Sequence, residues 1–292
     1  MLRLDNRVAI VTGAGRGIGR AYALLLAERG AAVIVNDLGT GLDGTGVSRT
    51  PADEVVAEIE AHGGRAVANH SSVSAPDGPA SIVRAALDHF GRIDIVINNA
   101  GLEGPIRFSE ATLDSFHKLM NVHFFGTVGV TLAAWPHLIA SGAGRVINTT
   151  STAIYGLDVH TAYGAAKGAI LAFSRNLAIE GEADGIKVNC IAPMAGTRMA
   201  EVSGSPQSVQ HYMREHMPPS LVAPAAIFLA HETCPFTGET FCIGGGVIRR
   251  ITICENQGYQ NPALTSELIV ENLASVTDET SNKPVARIIF PA

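Results

Sequence analysis

Tyr163 and Lys167 stand four residues apart in the segment YGAAK, a spacing that puts two side chains on one face of a helix. A phenol and an ammonium so placed are suited to moving a proton. A free tyrosine ionises near pH ~10, too high for a base at neutral pH, and a nearby positive charge favours the phenolate. A depression of ~3 units takes roughly 4 kcal/mol of differential stabilisation. Twelve residues before the tyrosine, Ser151 ends an apolar run, where a hydroxyl can hydrogen-bond a substrate oxygen and steady developing charge. Its neighbours Thr150 and Thr152 also carry hydroxyls, and such a cluster at a strand end serves equally as a helix cap or turn. The Tyr/Lys spacing recurs by chance, so its meaning depends on what surrounds it.

The first surrounding feature is the turn TGAGRGIG at residues 12–19. Gly13, Gly17 and Gly19 give a GxxxGxG spacing rather than the strict GxGxxG register, with Arg16 and Ile18 inside the turn. Glycines there allow a tight turn and close backbone approach, and the helix that follows aims its N-terminus at a pyrophosphate. A dinucleotide cofactor is therefore expected, and an oxidised nicotinamide would bring a second positive charge to the phenol. Asp37 closes the second apolar run, eighteen residues beyond Gly19. A carboxylate at that place accepts from the adenosine ribose hydroxyls and repels a 2′-phosphate, which favours NAD over NADP. Arg16 is the counter-indication, since a basic side chain in the turn suits that phosphate; a solvated loop carboxylate is the plain alternative for Asp37. In the segment NNAG, Asn99, Ala100 and Gly101 follow the fourth apolar run, where small residues and an amide let a cofactor lie close, although alone they are a turn signal.

These residues need a scaffold, and the pattern supplies one. Short β-branched runs at 7–12, 32–37, 65–69, 93–98, 145–150, 186–192 and 239–243 read as strands. Helical stretches lie between them at 17–29, 51–62, 76–90, 109–140, 161–182 and 221–230. Continuous apolar strands alternating with helices imply an α/β fold, a doubly wound parallel sheet of about seven strands of Rossmann type. Such sheets bind ligands beyond the carboxyl ends of their strands, which is where the residues above fall. The pattern predicts one domain over 1–246, containing cofactor and substrate sites, and an extension over 247–292 that packs on the domain or at a subunit interface. The polar stretch 194–219 is too long for an ordinary connection and is expected to be a mobile lid.

Bulk properties narrow the partners. The 292 residues are 47% hydrophobic and 16% charged with net charge −6, and no basic tract marks a nucleic-acid binder. No apolar stretch approaches the ~20 residues of a bilayer span, so no membrane partner is expected. MLRLDNRVAIVTG lacks the parts of a signal peptide. Cys190, Cys234, Cys242 and Cys254 show no metal or redox spacing, which points to reduced thiols in the cytoplasm and no metal.

TGAGRGIG, Asp37, NNAG, Asn121, Ser151 and YGAAK together resemble the short-chain dehydrogenase/reductase family over about residues 5–246. The resemblance implies a nicotinamide-dependent oxidoreductase acting on alcohols and ketones, usually a homotetramer or homodimer. It implies Tyr163 as acid/base, Lys167 as its modulator and ribose ligand, and Ser151 as the substrate-orienting hydroxyl. Asn121 in MNVHFFG would hold the water of a proton relay, and Asn99, Ser72 and Val73 would lie along the adenosine. Within the family, GRAYALLLAERGAAVIVNDLG, EVVAEIEAHGGRAVAN, CIAPMAGTRM and LVAPAAIFLAHE look like the (3R)-hydroxyacyl-CoA dehydrogenase part of multifunctional enzyme type 2 and its bacterial relatives. That group implies a 3-hydroxyacyl-CoA thioester or a steroid-like alcohol as substrate. Alternatives are a hydroxysteroid dehydrogenase, a 3-oxoacyl reductase running on NADPH, and an NAD-sensing regulatory protein. Three departures stand out. The family's serine lies thirteen residues before the tyrosine, where this chain has Thr150. Its Asp-Val adenine contact is here Ser72 and Val73. Residues 157–161 (LDVHT) replace a Gln/Asn-rich stretch beside the substrate pocket, leaving His160 as a substrate contact or, more in keeping with a loop, a solvated histidine.

Overall fold

The computed structural model describes residues 1–287. Eight strands form the main sheet: β1 (Val8–Thr12), β2 (Ala32–Asn36), β3 (Arg65–Asn69), β4 (Ile95–Asn98), β5 (Arg145–Thr149), β6 (Lys187–Pro193), β7 (Thr240–Gly244) and β8 (Val247–Ile251). Their order is β3-β2-β1-β4-β5-β6-β7-β8, and β3 through β7 pair in parallel. The chain runs outward from β1 in both directions, so a crevice opens between β1 and β4 at the carboxyl ends.

Nine helices belong to this body: α1 (Gly17–Glu28), α2 (Thr50–Ala61), α3 (Gly78–Phe90), α4 (Leu113–Met120), α5 (Gly126–Ser141), α6 (Thr161–Glu182), α7 (Arg198–Val202), α8 (Gln207–His216) and α9 (Ala223–Ala230). Every residue of β1, β2, β4, β5 and β7 is buried. The period-2 alternation of a strand sends Ala9 and Val11 into one layer with Tyr22, Leu26, Ile59 and Leu229. Val8 and Ile10 face the other layer, with Ile82, Val130, Leu138 and Ala178. Both faces are covered, which is why the strands read as unbroken apolar runs. Buried amides tie the second layer to the sheet: Asn98 Nδ2 donates to Thr131 Oγ1 and Asn148 Oδ1, both at 2.9 Å, and Asn148 Nδ2 donates to Ser174 Oγ at 2.8 Å.

Four features differ from the sequence expectation. An eighth strand joins the expected seven, because Gly245 and Gly246 both take positive φ (+56° and +78°) and make a two-residue turn, which can join only antiparallel neighbours. The helix expected over 109–140 is broken into a 3-10 turn (Phe108–Glu110), α4, a π-helical turn (Asn121–Phe125) and α5. The run Leu113–Ser141 is long and apolar enough, by composition alone, to cross a bilayer (mean hydropathy 1.3 over 18 residues), contrary to the sequence reading. Its inward side, with Leu119, Val130, Ala134 and Leu138, is part of the apolar core. Finally, 194–219 folds into α7, α8 and a 3-10 turn at Pro219–Leu221 instead of an open loop. The sequence QSVQHYMREH carries a short apolar stripe, Val209, Tyr212 and Met213 at helical spacing, in an otherwise polar segment, and the reading of 194–219 as a polar loop passed over it.

The chain forms two compact units, Met1–Arg249 and Arg250–Ala292. Within the second, β9 (Cys254–Glu255) and β10 (Lys283–Pro284) pair antiparallel, and α10 (Ser266–Glu271) and α11 (Leu273–Val276) lie between them in sequence. Residues 288–292, the end of the expected extension, lie outside the described residues.

Candidate active site

A cleft of about 690 Å³ opens beyond the carboxyl ends of β1, β2 and β4. Gly13, Arg16, Gly17, Ile18, Gly19, Asp37, Ser72, Val73, Asn99, Ala100 and Gly101 all line it. The turn after β1 is closed by contacts that exclude side chains. A Cβ on Gly19 would land on the Gly13 carbonyl oxygen and against Asn99 Nδ2, and Gly13 itself has φ +63°. The start of α1 has no side-chain cap, so its first N–H groups are free to meet an anion. Asp37 is aimed by two backbone donors: Gly15 N–H donates to Oδ2 at 2.8 Å and Gly39 N–H to Oδ1 at 2.6 Å. Its oxygens keep lone pairs for further donors. Arg16 is exposed at the rim and reaches the Thr40 carbonyl at 3.4 Å. A cradle without side chains, an uncapped helix start and an oriented carboxylate fit a dinucleotide.

Asn99 differs from its expected role along the adenosine. It lines the cleft, but its amide donates to Thr12 O (3.0 Å) and Gly13 O (3.1 Å). Thr12 Oγ1 in turn accepts from the N–H groups of Asn99 and Ala100, both at 3.0 Å. The two strand ends are thereby clamped together. Sequence reasoning missed Thr12 as part of this clamp and Gly15 as a donor to Asp37; the threonine that opens TGAG is the available signal for the clamp.

The catalytic candidates lie on and beside α6, behind Leu102 and Val122, which line the cleft and share an apolar cluster with Tyr163; Tyr163, Lys167 and Ser151 are not themselves among the lining residues. Lys167 is buried and donates from Nζ to Thr149 O at 2.7 Å, with Nζ 5.6 Å from the centroid of the Tyr163 ring. Burial lowers the Lys167 ammonium to about 7, against the pull of Glu103 and Cys190. Burial also pushes the Tyr163 phenol up, the charge of Glu103 adds to this, and a hydrogen bond with Ser151 acts in the other direction. The expected depression of the phenol by the ammonium is thus absent from the protein alone, where desolvation is the largest influence on it. Thr150 is spoken for: its hydroxyl is buried and donates to Lys167 O at 2.8 Å. Ser151, which also accepts from Ala153 N–H at 3.1 Å, is the hydroxyl that reaches the phenol. Asn121 opens the π-helical turn, where Gly126 N–H donates to its carbonyl. It is exposed, on a segment that packs against α6, and π-helical turns of this kind recur at functional sites.

Three further ionisable groups surround the phenol that sequence reasoning did not bring together. His160 is buried, correcting its reading as a solvated loop histidine. Its Nε2 lies 2.8 Å from Glu103 Oε1 and its Nδ1 2.6 Å from Asp158 O. His123 is buried as well; its Nε2 lies 2.9 Å from Leu102 O and 3.1 Å from Leu102 N, and its Nδ1 has no partner. Burial holds it well below the ordinary imidazole range, so it is neutral. Both imidazoles meet the Tyr163 ring edge-on, at 5.3 Å for His123 and 6.0 Å for His160. Burial raises the Glu103 carboxyl, with His160 pulling it down. Among the described residues no group of three or more His, Cys, Asp or Glu side chains is arranged to hold a metal.

Comparison with known proteins agrees with this architecture. The short chain dehydrogenase family profile matches residues 7–207. A Mycobacterium tuberculosis protein named as a short-chain type dehydrogenase/reductase is 40% identical over 283 residues, covering 96% of this chain and 97% of that protein. Mouse peroxisomal multifunctional enzyme type 2 is 43% identical over 289 residues, 97% of this chain but 38% of that protein, so this chain spans well under half of the larger enzyme. The crystal structure of a short chain dehydrogenase from Mycobacterium avium superposes with a TM-score of 0.78 at 34% identity, over 96% of this chain and 97% of that one. The chain belongs to the short-chain dehydrogenase/reductase family and is an oxidoreductase.

Proposed function

We propose that this short-chain dehydrogenase uses NAD to interconvert a secondary alcohol and a ketone, the alcohol being a 3-hydroxyacyl-CoA thioester. The observation that carries the nucleotide choice is Asp37, fixed at the cleft rim by Gly15 and Gly39, where a carboxylate accepts from ribose hydroxyls and opposes a 2′-phosphate. The substrate class is supported by the likeness of four long segments to the (3R)-hydroxyacyl-CoA dehydrogenase group and by the 43% identity to a multifunctional enzyme type 2.

When bound, the nicotinamide supplies the hydride acceptor and, while oxidised, a positive charge. Gly13, Gly17 and Gly19 would hold the pyrophosphate at the start of α1, and Asp37 the ribose. Tyr163 takes the proton of the substrate hydroxyl as the carbinol hydrogen departs with its electron pair, so the alcohol loses one proton and one hydride. Ser151 donates to the same oxygen and holds it against Tyr163. Lys167, already bonded to the Thr149 carbonyl, uses a remaining N–H to favour the phenolate. Asn121 holds the water through which the proton leaves.

The protein assembles as a homodimer or homotetramer. Support comes from Phe125, Leu132 and Ile139, which are exposed and recur at seven-residue spacing on one face of the π-helical turn and α5. The substrate reading is tested by following NADH and NADPH formation with (3R)- and (3S)-hydroxyacyl-CoA esters of graded length, hydroxysteroids alongside. NADH from a hydroxyacyl-CoA ester is expected. Turnover of steroids alone would remove the thioester reading, and a preference for NADP would remove the role given to Asp37.

A further inference from the structure

We propose that the buried Glu103–His160 pair is a positioning element of the proton-transfer site: carboxylate and imidazole share one proton beside Tyr163, cancel the carboxylate's charge there, and so set the pH at which that phenol ionises. This rests on the proposed function only where turnover is the readout.

The proton count follows from the contacts. His160 Nδ1 faces the Asp158 carbonyl at 2.6 Å, and a carbonyl only accepts, so Nδ1 carries a proton. The 2.8 Å contact between Nε2 and Glu103 Oε1 joins two acceptors unless one proton lies between them. With the side chains 2% and 6% exposed, water cannot take the place of either partner. Whichever atom holds the shared proton, the pair is neutral as a unit, and losing the imidazole alone leaves a bare carboxylate.

The fold builds the pair deliberately. Glu103 comes from the loop after β4 and His160 from the residue before α6, 57 positions apart. Val159 holds φ +57° to deliver the imidazole, a conformation in which a β-branched residue is a true outlier and which points to function. Ile106 N–H donates to the Val159 carbonyl at 2.7 Å, stitching the two loops together.

The other groups facing the phenol leave Glu103, His160 and Lys167 as the ionisable ones that set the charge there. Ser151 contributes a hydroxyl, and His123 on the π-helical turn is neutral. From α4, Phe116 and Leu119 belong to the same apolar cluster as Tyr163, while Asp114, His117 and Lys118 on that helix are exposed. On β6, burial raises Cys190 behind Lys167 to about 11, so it is a neutral thiol. A bare carboxylate in place of the pair opposes the phenolate more than the paired one does.

The test is a rescue. In the complex with the nicotinamide nucleotide that binds, tyrosinate formation is followed by ultraviolet difference titration with Tyr163→Phe as blank, together with the pH profile of kcat/KM on (3R)-hydroxybutyryl-CoA. His160→Gln is expected to move phenol ionisation up by about one pH unit. The double variant His160→Gln/Glu103→Gln, having no carboxylate to bare, is expected to return within a few tenths of wild type. His160→Asn replaces the single variant if the glutamine does not fold. An unmoved titration in the single variant, or a double variant displaced as far as the single, overturns the proposal. If titration shows displacement and rescue while the rate profile does not follow, the pair stands and Tyr163 as the acid/base falls.

Discussion

The two walls of the candidate site, the nucleotide cleft and the buried cluster behind it, are made of different materials. The wall after β1, β2 and β4 is backbone: glycines packed where no side chain fits, and a threonine and an amide clamping two strand ends. The wall on α6 is ionisable side chains out of water: Lys167, Tyr163 and, beside them, His123, Glu103 and His160. On the first wall, fold and function ask for the same thing, because whatever closes the turn also shapes the nucleotide site. On the second they conflict, because groups poised to exchange protons are destabilising when buried. Substitutions should therefore lose binding and stability together on the first wall and trade activity for stability on the second.

The largest expected effect breaks the second wall. Lys167→Met should lower turnover by about a thousandfold while raising stability at pH 7 and below by ~1–3 kcal/mol, as apolar replacement of buried charge often does. The sign follows from proton binding. Folding lowers Lys167 from 10.5 to about 7, so between those values the unfolded chain holds more protons and wild-type stability climbs with pH. Chemical denaturation across that window should show the climb in wild type and its loss in the variant. A variant less stable than wild type at every pH would erase the contrast between the walls.

The first wall is tested by Gly19→Ala. The new methyl has no space beneath the Gly13 carbonyl, and overpacking of this kind costs ~1–3 kcal/mol. Calorimetry should show nucleotide affinity weakened by about 10- to 100-fold and the thermal midpoint falling with it. Preserved stability with lost binding would mean that the turn is not shared between fold and site. The smallest effect is at the strained corner of the second wall. Val159→Gly accepts φ +57° without the β-branched penalty, and the relief, partly offset by glycine's freedom in the unfolded chain, should stabilise by less than ~1 kcal/mol.

The difference between the walls also explains what was legible in the sequence. Glycine spacing, the acid closing β2 and the four-residue Tyr/Lys interval are local patterns, and each maps onto one turn or one helix face. The sheet was readable for the same reason, since its buried strands are unbroken apolar runs. The eighth strand escaped because its residues are almost all exposed and carry no core pattern, although its two-glycine turn could have been read. The π-helical turn at Asn121 is an insertion in a helical ladder, which side-chain periodicity does not report. Helix α8 announces itself only by a stripe of three residues, Val209, Tyr212 and Met213, in an otherwise polar segment. Glu103 and His160 meet only when the loops after β4 and before α6 close on each other, so no local pattern could pair them. The same holds for the amide of Asn99, whose partners lie across the sheet.

The role of Tyr163 as the group that moves the proton, while a nicotinamide takes the hydride, underlies both walls. It is tested most directly by comparing Tyr163→Phe with wild type in NADH formation on (3R)-hydroxyacyl-CoA, with nucleotide affinity measured on both. Turnover should fall by at least about a hundredfold at nearly unchanged affinity. Full NADH formation by the phenylalanine variant would contradict it.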